Sequence, residues 1–134
     1  MKIRSSKLKL REAVRFVGGR VLCGHDLLDM EVEGACAADL LSDVLAFTEE
    51  GDTLLITGTT SVQVLRVATI LHIPAIVFVR GKEPPASVVE AAEKVGIALV
   101  TTPRTMFAVC GLLFARGMRC SPMKPSQKMS TGDD

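Results

Sequence analysis

The chain has 134 residues, of which 48% are hydrophobic and 23% are charged, and its formal net charge is +1 at pH 7. Its length and apolar content predict one globular domain with a core of ordinary size, and no run approaches the roughly 18 consecutive apolar residues of a membrane-spanning helix. The basic amino terminus is not followed by a signal-peptide core, so we expect a cytoplasmic protein with no membrane partner.

Charge is segregated along the chain. Residues 1–20 carry seven basic side chains against one acidic side chain, whereas residues 21–60 carry nine acidic side chains and no Lys or Arg. This pattern predicts that a basic first helix lies near an acidic neighbour, in the same chain or in a second subunit. Trp and Tyr are absent and no broad basic face with interleaved aromatic residues is present, which argues against a nucleic-acid partner.

The first part of the chain predicts two helices and two strands. A helix over residues 5–18 follows from a Ser cap, apolar residues at helical spacing and a terminal Gly-Gly pair. Strands are predicted at residues 20–24 and, with a looser alternation, at residues 31–39. An amphipathic helix over residues 38–51 carries its apolar stripe on Leu40, Leu41, Val44, Leu45 and Phe47.

The second part shows the clearest alternation of strands and helices. Strands are predicted at residues 53–57, 75–79 and 98–102. Helices are predicted at residues 61–71, 86–95 and from residue 103 to about residue 117. Near-continuous apolar strands that alternate with helices are typical of a parallel sheet covered on both faces. The predicted fold class is therefore α/β, with a mostly parallel sheet in a three-layer α/β/α arrangement.

Local signals mark the helix starts and the end of the domain. Helix caps are predicted at Thr60 or Ser61, in a capping box at residues 87–90, and at Thr102 before Pro103. After residue 118 the periodicity is lost and Ser, Pro and Lys become frequent. We therefore predict a domain over residues 1–118 and a disordered tail over residues 119–134.

Three predicted loops leave the carboxyl ends of the parallel strands, and such loops meet at one edge of the sheet, which we call the rim. Together they offer free helix N–H groups, hydroxyls and three cations, a combination that suits an anion such as a phosphate. The same residue types also serve as ordinary helix caps and solvated loop side chains. The candidate ligand-binding residues are Gly58, Thr59, Thr60, Ser61, Arg80, Gly81, Lys82, Thr102 and Arg104.

The sequence lacks the motifs of known nucleotide hydrolysis and of metal-dependent or nucleophilic catalysis. Gly58 is followed by neither the second glycine nor the lysine of a P-loop, and there is no nucleophile elbow. Cys23 and His25 could contribute two metal ligands, but no second close pair completes a zinc site. We therefore expect no catalytic residue, no metal and reduced, mostly buried thiols.

Asp39 and Asp43 stand four residues apart on one face of the predicted helix 38–51. Like charges at that spacing are mildly unfavourable. The pair could chelate a cation, face water, or meet a basic partner such as the first helix. The solvated face is the preferred interpretation.

Four segments carry a resemblance to a known family. They are "DLLSDV" at residues 39–44, "LLITG" at 54–58, "AIVFVRGKEP" at 75–84 and "TTPRTMFAVCGLL" at 101–113. Over about residues 1–118 the chain resembles the DRTGG domain, in particular the short stand-alone bacterial proteins described as similar to the amino-terminal domain of HPr kinase/phosphorylase. The resemblance implies a three-layer α/β/α domain without kinase machinery, with a regulatory, ligand-sensing or dimer-forming role.

The chain departs from the pattern that gives this family its name. Where the family has an Asp-Arg pair after a strand, this chain has Thr59 and Thr60, and where the family has Thr-Gly-Gly it has residues 79–81. Gly81 and the loop positions carry over, and Arg80 supplies a cation near the same place.

The function that follows is a non-catalytic regulatory or ligand-sensing module, a homodimer with a nucleotide-like anion as the candidate ligand and no tightly bound cofactor. The dimer surface is expected on the helix that contains residues 111–115 and on the basic first helix. The alternative is an accessory subunit that docks to a protein and takes no small ligand. A role in a serine-kinase system follows only from the family resemblance, and the missing P-loop counts against it.

Overall fold

The structure is a computed structural model that describes residues 7–125. Seven strands lie in this range, five of them in one sheet and two in a separate antiparallel pair. The strands are β1 (Leu8–Lys9), β2 (Arg20–Cys23), β3 (Glu31–Val32), β4 (Gly34–Ala37), β5 (Thr53–Thr57), β6 (Ala75–Phe78) and β7 (Ala98–Thr101).

Five α-helices surround the sheet in the described part of the chain, together with one turn of 3₁₀-helix at His25–Leu27. The helices are α1 (Leu10–Phe16), α2 (Leu41–Phe47), α3 (Gln63–Ile70), α4 (Ala86–Val95) and α5 (Met106–Ala115).

The main sheet has the strand order β2-β7-β6-β5-β4. Strands β4 to β7 are parallel and adjacent in chain order, with Leu54 of β5 opposite Ala75 of β6 and Ile76 of β6 opposite Leu99 of β7. Strand β2 pairs with β7 in the antiparallel direction, Arg20 opposite Thr101. The predicted mostly parallel sheet is confirmed, and the antiparallel β2 places its amino end, not its carboxyl end, at the rim.

Alternate residues of the central strands enter two different apolar clusters, one on each face of the sheet. Leu55, Ile76 and Leu99 pack with residues of α2, α3 and α4. Leu54, Val77 and Val100 pack with residues of α1 and α5 instead. Since successive side chains of a strand point to opposite faces, strands that are apolar at every position need a cover on both sides. The three-layer α/β/α prediction is confirmed.

The basic amino-terminal segment forms a shorter helix than predicted. Leu8 and Lys9 form β1, which pairs with β3, and helix α1 begins at Leu10. The expected acidic neighbour is the segment around β3 in the same chain. Lys7 lies 3.8 Å from Glu33, and the Arg11 Nε donates to Asp29 at 3.2 Å. The predicted Ser cap at residues 5 and 6 lies outside the described residues.

The predicted strand 31–39 and the helix 38–51 are both divided differently in the structure. Glu33 separates β3 from β4, and α2 ends at Phe47 because Thr48 is extended and forms an isolated β-bridge with Met123. Between β4 and α2 lies a short loop, residues 38–40, where the two predicted elements overlapped. Asp39 belongs to this loop and not to the helix, so its predicted placement on a helix face with Asp43 is wrong.

The predicted helix caps are also wrong. Helix α3 starts at Gln63 with Val62 as its N-cap, and no side chain of the cap accepts a hydrogen bond. Helix α4 starts after Pro85, which places Ser87 inside the helix. Helix α5 is capped by Thr105, whose hydroxyl accepts from the Ala108 amide at 3.2 Å.

Residues 119–124, which the sequence places in a disordered tail, are hydrogen-bonded to the domain. Cys120 forms a parallel bridge with Ala35 of the edge strand β4. The Ala35 amide donates to the Arg119 carbonyl at 3.0 Å, and the Ser121 amide donates to the Ala35 carbonyl at 2.9 Å. The described part of the predicted tail thus extends the sheet by a short segment, and residues 126–134 lie outside the described range.

None of the helices between residues 7 and 125 is long and apolar enough to cross a membrane.

Candidate functional site

Four loops stand side by side at the rim, each after one of the parallel strands. They span residues 38–40 after β4, 58–62 after β5, 79–85 after β6 and 102–105 after β7. The last three contain the residues predicted from the sequence. The loop after β4 was not predicted, because the strand and helix predicted there overlapped at residues 38 and 39.

The loops after β6 and β7 are joined by backbone hydrogen bonds. The Arg80 amide donates to the Arg104 carbonyl at 2.7 Å, and the Gly81 amide donates to the Thr102 carbonyl at 2.8 Å. The Thr101 hydroxyl adds a bond to the Lys82 carbonyl at 2.7 Å. Two of the predicted loops therefore form one connected piece of the rim.

Arg80 has an unusual backbone conformation. Its φ is +58°, and the following Gly81 has a φ of +70°. For a residue with a Cβ the left-handed region costs about 1 kcal/mol or more, so it occurs where the surrounding structure imposes it. Here the amides of both residues bond to the loop after β7, and the Arg80 side chain is directed toward the loops after β4 and β5.

The carboxylate of Asp39 is the centre of the contacts on that side. Its Oδ1 accepts from the Gly58 amide at 2.7 Å, and its Oδ2 lies 3.4 Å from the Arg80 Nη2, a long hydrogen bond. The Thr59 hydroxyl donates to the Asp39 backbone carbonyl at 2.7 Å. Asp39 therefore links the loops after β4, β5 and β6, and it is the site residue that the sequence did not supply.

Arg80 approaches the backbone of Gly58 closely. A Cβ at this position would lie 2.2 Å from the Arg80 Nη2 and 3.1 Å from the Asp39 Oδ1. The guanidinium thus lies directly over the backbone of the turn after β5. The structure brings Gly58, Thr59 and Arg80 together, as the rim hypothesis predicts for residues of neighbouring loops.

The hydroxyl of Thr102 faces the interior. The residue is buried, and the hydroxyl donates to the Val17 carbonyl at 2.8 Å and accepts from the Arg104 amide at 3.3 Å. Thr102 therefore holds the end of α1 against the loop after β7. Thr60 is half-buried and Ser61 is exposed, in the turn that leads to α3.

The three predicted cations have different neighbours. The Arg104 side chain extends over the end of α1, where a Cβ added to Gly18 would lie 3.6 Å from the Arg104 Nε. Lys82 is exposed, and within residues 7–125 its ammonium has no ion-pair partner. Arg80 alone of the three contacts the turn after β5 through its side chain.

A fourth rim cation, Arg20, was not predicted. It opens the antiparallel strand β2 opposite Thr101 and forms a salt bridge with Glu83 in the loop after β6. The Arg20 side chain is 63% exposed and the Glu83 side chain is 50% exposed, so the pair contributes little to stability. Arg20 could have been placed at the rim from the sequence only if β2 had been known to run antiparallel to β7. The sequence of a single short strand does not reveal its direction in the sheet.

The histidines and cysteines lie away from the rim cluster. His72 lies 3.2 Å from Glu50 at the amino ends of β5 and β6, the opposite edge of the sheet. Burial raises the pKa of the Cys36 thiol to about 11 and raises the pKa of the Cys23 thiol as well, so neither is a reactive thiolate. No group of three or more His, Cys, Asp or Glu within the described residues is placed to hold a metal ion.

Two apolar cavities lie beside the edge strand β4, of about 130 and 370 Å³. Their walls come from β4, from α2 and α5, and from residues 118–123. These walls bring together no cluster of cations, and an anion needs fixed positive charge or free N–H groups. The described walls of the two cavities therefore offer little to an anion.

One solved structure reports the same architecture. It is the regulatory region of Clostridium perfringens pyrophosphatase, its CBS and DRTGG domains complexed with the activator diadenosine tetraphosphate. The match has a TM-score of 0.62 at 18% identity and covers 84% of this chain. This chain spans about half of that one, 51% of its length, and the similarity establishes a shared fold. No curated protein matches the chain.

The family model of the DRTGG domain matches residues 12–115, from the middle of α1 to the end of α5. The matched range contains the complete five-stranded sheet and all four loops of the rim. The chain belongs to the DRTGG domain family.

Proposed function

We propose that the protein is a regulatory, ligand-sensing module that binds a small anionic, nucleotide-like ligand at the rim and does not catalyse a reaction on it. The observation that carries this proposal is the position of Arg80. Its guanidinium lies over the Gly58 turn, held there by a strained backbone and a link to a second loop. Residues held in sparsely populated backbone conformations cluster at active sites, ligand clamps and switch regions.

The chemistry at the rim fits phosphate groups. A guanidinium offers a planar fork of donors to phosphate oxygens, and Lys82 adds a mobile point charge on the same loop. The structurally similar pyrophosphatase region is complexed with a dinucleotide polyphosphate activator. This supports a ligand of that chemical class for the present chain, as a proposal that rests on fold and family.

The position of the histidines, the commonest general bases, supports the non-catalytic part of this proposal. A nucleophile needs an adjacent base, and the two histidines stand away from the rim cluster, His72 at the opposite edge of the sheet. We also propose, from the family resemblance, a cytoplasmic protein akin to the amino-terminal domain of HPr kinase/phosphorylase. A part in a serine-kinase system would then require the kinase activity of another protein.

The test is thermal stability in the presence of nucleotides. A ligand that binds only the native state raises the melting temperature, so AMP, ATP or diadenosine tetraphosphate at millimolar concentration should raise that of the wild type. The double variant Arg80→Ala/Lys82→Ala should lose the shift. The control Arg66→Ala/Lys94→Ala removes the same charge from α3 and α4 and should keep it. No shift of the wild type with any of the three would overturn ligand sensing.

A protein-docking function without a small ligand is the second candidate, and helix α5 favours it. This helix has no charged residue along its length, and Phe107 and Phe114 are 89% and 60% exposed. Exposed apolar surface on this scale is typical of a protein interface. The homodimer that the ligand-sensing function includes would use the same surface, with a second copy of the chain as its occupant. Light scattering should then show a dimer for the wild type and a monomer for Phe107→Ser, while a wild-type monomer at micromolar concentrations would refute the homodimer.

A further inference from the structure

We infer that Asp39 is a built-in competitor for the anion site, so that a ligand phosphate binds by displacing its carboxylate. This inference rests on the proposed function and specifies how the site is regulated. Asp39 would set the affinity threshold of the rim, because every ligand must first take over the donors that the carboxylate already uses.

The donors that hold Asp39 are those that a phosphate would use. One carboxylate oxygen accepts from the backbone amide of Gly58, at a turn between a strand and a helix, and the other faces the Arg80 guanidinium. Backbone amides at such turns and guanidinium groups are the common partners of phosphate oxygens. The carboxylate is thus an anion of the protein itself, bound where the proposed ligand would bind.

The ion pair between the carboxylate and Arg80 is weak. The distance from its Oδ2 to the Arg80 Nη2 is 3.4 Å, and the Arg80 and Asp39 side chains are 41% and 53% exposed. Ion pairs with this exposure contribute little to stability. A phosphate group carries more charge and more acceptor oxygens than a carboxylate, so it can engage both donors more strongly.

Displacement requires movement of the side chain alone. The Asp39 backbone is held separately, because its carbonyl accepts from the Thr59 hydroxyl at 2.7 Å. Helix α2 does not use the carboxylate either, since its N-cap is Leu40 and no side chain caps it. Rotation of the Asp39 side chain into solvent can therefore free the site while the loop and the helix stay in place.

The test compares two variants that lose one negative charge from the rim. Asp39→Ala removes the proposed competitor, and Glu83→Ala removes a carboxylate that pairs with Arg20. The affinity for ATP is measured by calorimetry without metal ions. It should rise about tenfold in Asp39→Ala, because this variant frees the Gly58 amide and Arg80 from a charged hydrogen-bond acceptor. It should rise less than about threefold in Glu83→Ala, which only makes the electrostatic potential at the rim more positive. The double variant Asp39→Ala/Arg80→Ala should lose the gain.

Hydrogen exchange of the Gly58 amide gives a second readout. In the wild type the carboxylate protects this amide, so Asp39→Ala without ATP should exchange it faster, and saturating ATP should restore the protection. Equal or weaker affinity of Asp39→Ala than of the wild type would overturn the inference, and so would an equal gain in Glu83→Ala. If neither the wild type nor Asp39→Ala binds millimolar ATP or pyrophosphate, the proposed function fails and the inference fails with it.

Discussion

The backbone amide of Arg80 donates a 2.7 Å hydrogen bond to the backbone carbonyl of Arg104, across the gap between the loops after β6 and β7. Its neighbour runs from the Gly81 amide to the Thr102 carbonyl, and both donor residues have a positive φ. Arg80 thus adopts a costly backbone conformation where two loops are joined, and its guanidinium lies over Gly58.

Replacing Arg80 should separate stability from ligand binding. Arg80→Gly relieves the left-handed strain, whereas Arg80→Ala keeps it, so the glycine variant should be more stable than the alanine variant by about 1 kcal/mol. Both should lose the nucleotide-dependent rise in melting temperature, because both lose the guanidinium. Urea denaturation of the two variants measures the difference. Equal stability would show that the strained φ is not retained in the alanine variant.

A methyl group at Gly58 should affect binding more than stability. In Gly58→Ala the new Cβ would occupy the space of the Arg80 Nη2, but a guanidinium is the end of a flexible side chain and can move away. We expect a loss of stability below about 1 kcal/mol, together with loss of the nucleotide-induced shift, because Arg80 leaves the turn. Gly111→Ala is the matched control, since nothing lies within 4 Å of the position of its Cβ. Retained nucleotide binding in Gly58→Ala would show that the Arg80 position is not needed.

The partly buried thiol of Cys36 should make the protein less stable in alkali. Burial raises its pKa from 9.0 to about 11 in the folded chain. Below about pH 9 the thiol is protonated whether the chain is folded or unfolded, and its contribution is complete. Between about pH 9 and 11 the unfolded chain gives up the proton more readily, so rising pH favours unfolding.

The variant Cys36→Ala isolates this effect. Urea midpoints at about pH 8 and pH 10.5 should differ less for Cys36→Ala than for the wild type, because the other titrating groups are common to both. The variant should also be less stable at pH 8, by about 1 kcal/mol, since it loses part of a buried side chain. The same drop between the two pH values in both proteins would contradict the role of Cys36.

Much of the fold could be predicted because the central elements have strong and local signals. Strand β5 and helix α4 were predicted at their observed bounds, residues 53–57 and 86–95. The strand is apolar at its centre and buried at every position. The helix begins directly after Pro85 and ends before Gly96, which adopts the left-handed conformation common at helix ends. The three-layer arrangement then follows from the lack of a polar face on the strands.

The centre of the site could not be predicted, because it depends on contacts between distant parts of the chain. Asp39 meets the Gly58 amide and Arg80, respectively 19 and 41 residues away, and no local pattern distinguishes it from the other acidic residues of its segment. The Thr102 hydroxyl was expected at a helix start, but it is used by Val17, 85 residues away. Periodicity reports which face of an element is apolar and gives no information on which polar groups meet across loops.

Residues 119–124 offer a test of where the domain ends. If the domain ended at residue 118, deletion of residues 119–134 would change little. In the structure this deletion removes four backbone hydrogen bonds, each with a net contribution of about 1 kcal/mol, so we expect a loss of about 2–4 kcal/mol in the free energy of unfolding. The bonds join Arg119 and Ser121 to Ala35, Pro122 to Glu49, and Lys124 to Phe47.

A chain that ends after Pro125 keeps all four bonds and is the matched control for this deletion. Urea denaturation of both truncated chains compares them with the full chain at one pH and temperature. The shorter chain also exposes the outer edge of β4 at Ala35, and an unpaired edge strand favours association with other chains. We therefore expect the chain that ends at residue 118 to be less stable and to aggregate more readily, whereas equal stability of the two truncated chains would support the predicted boundary at residue 118.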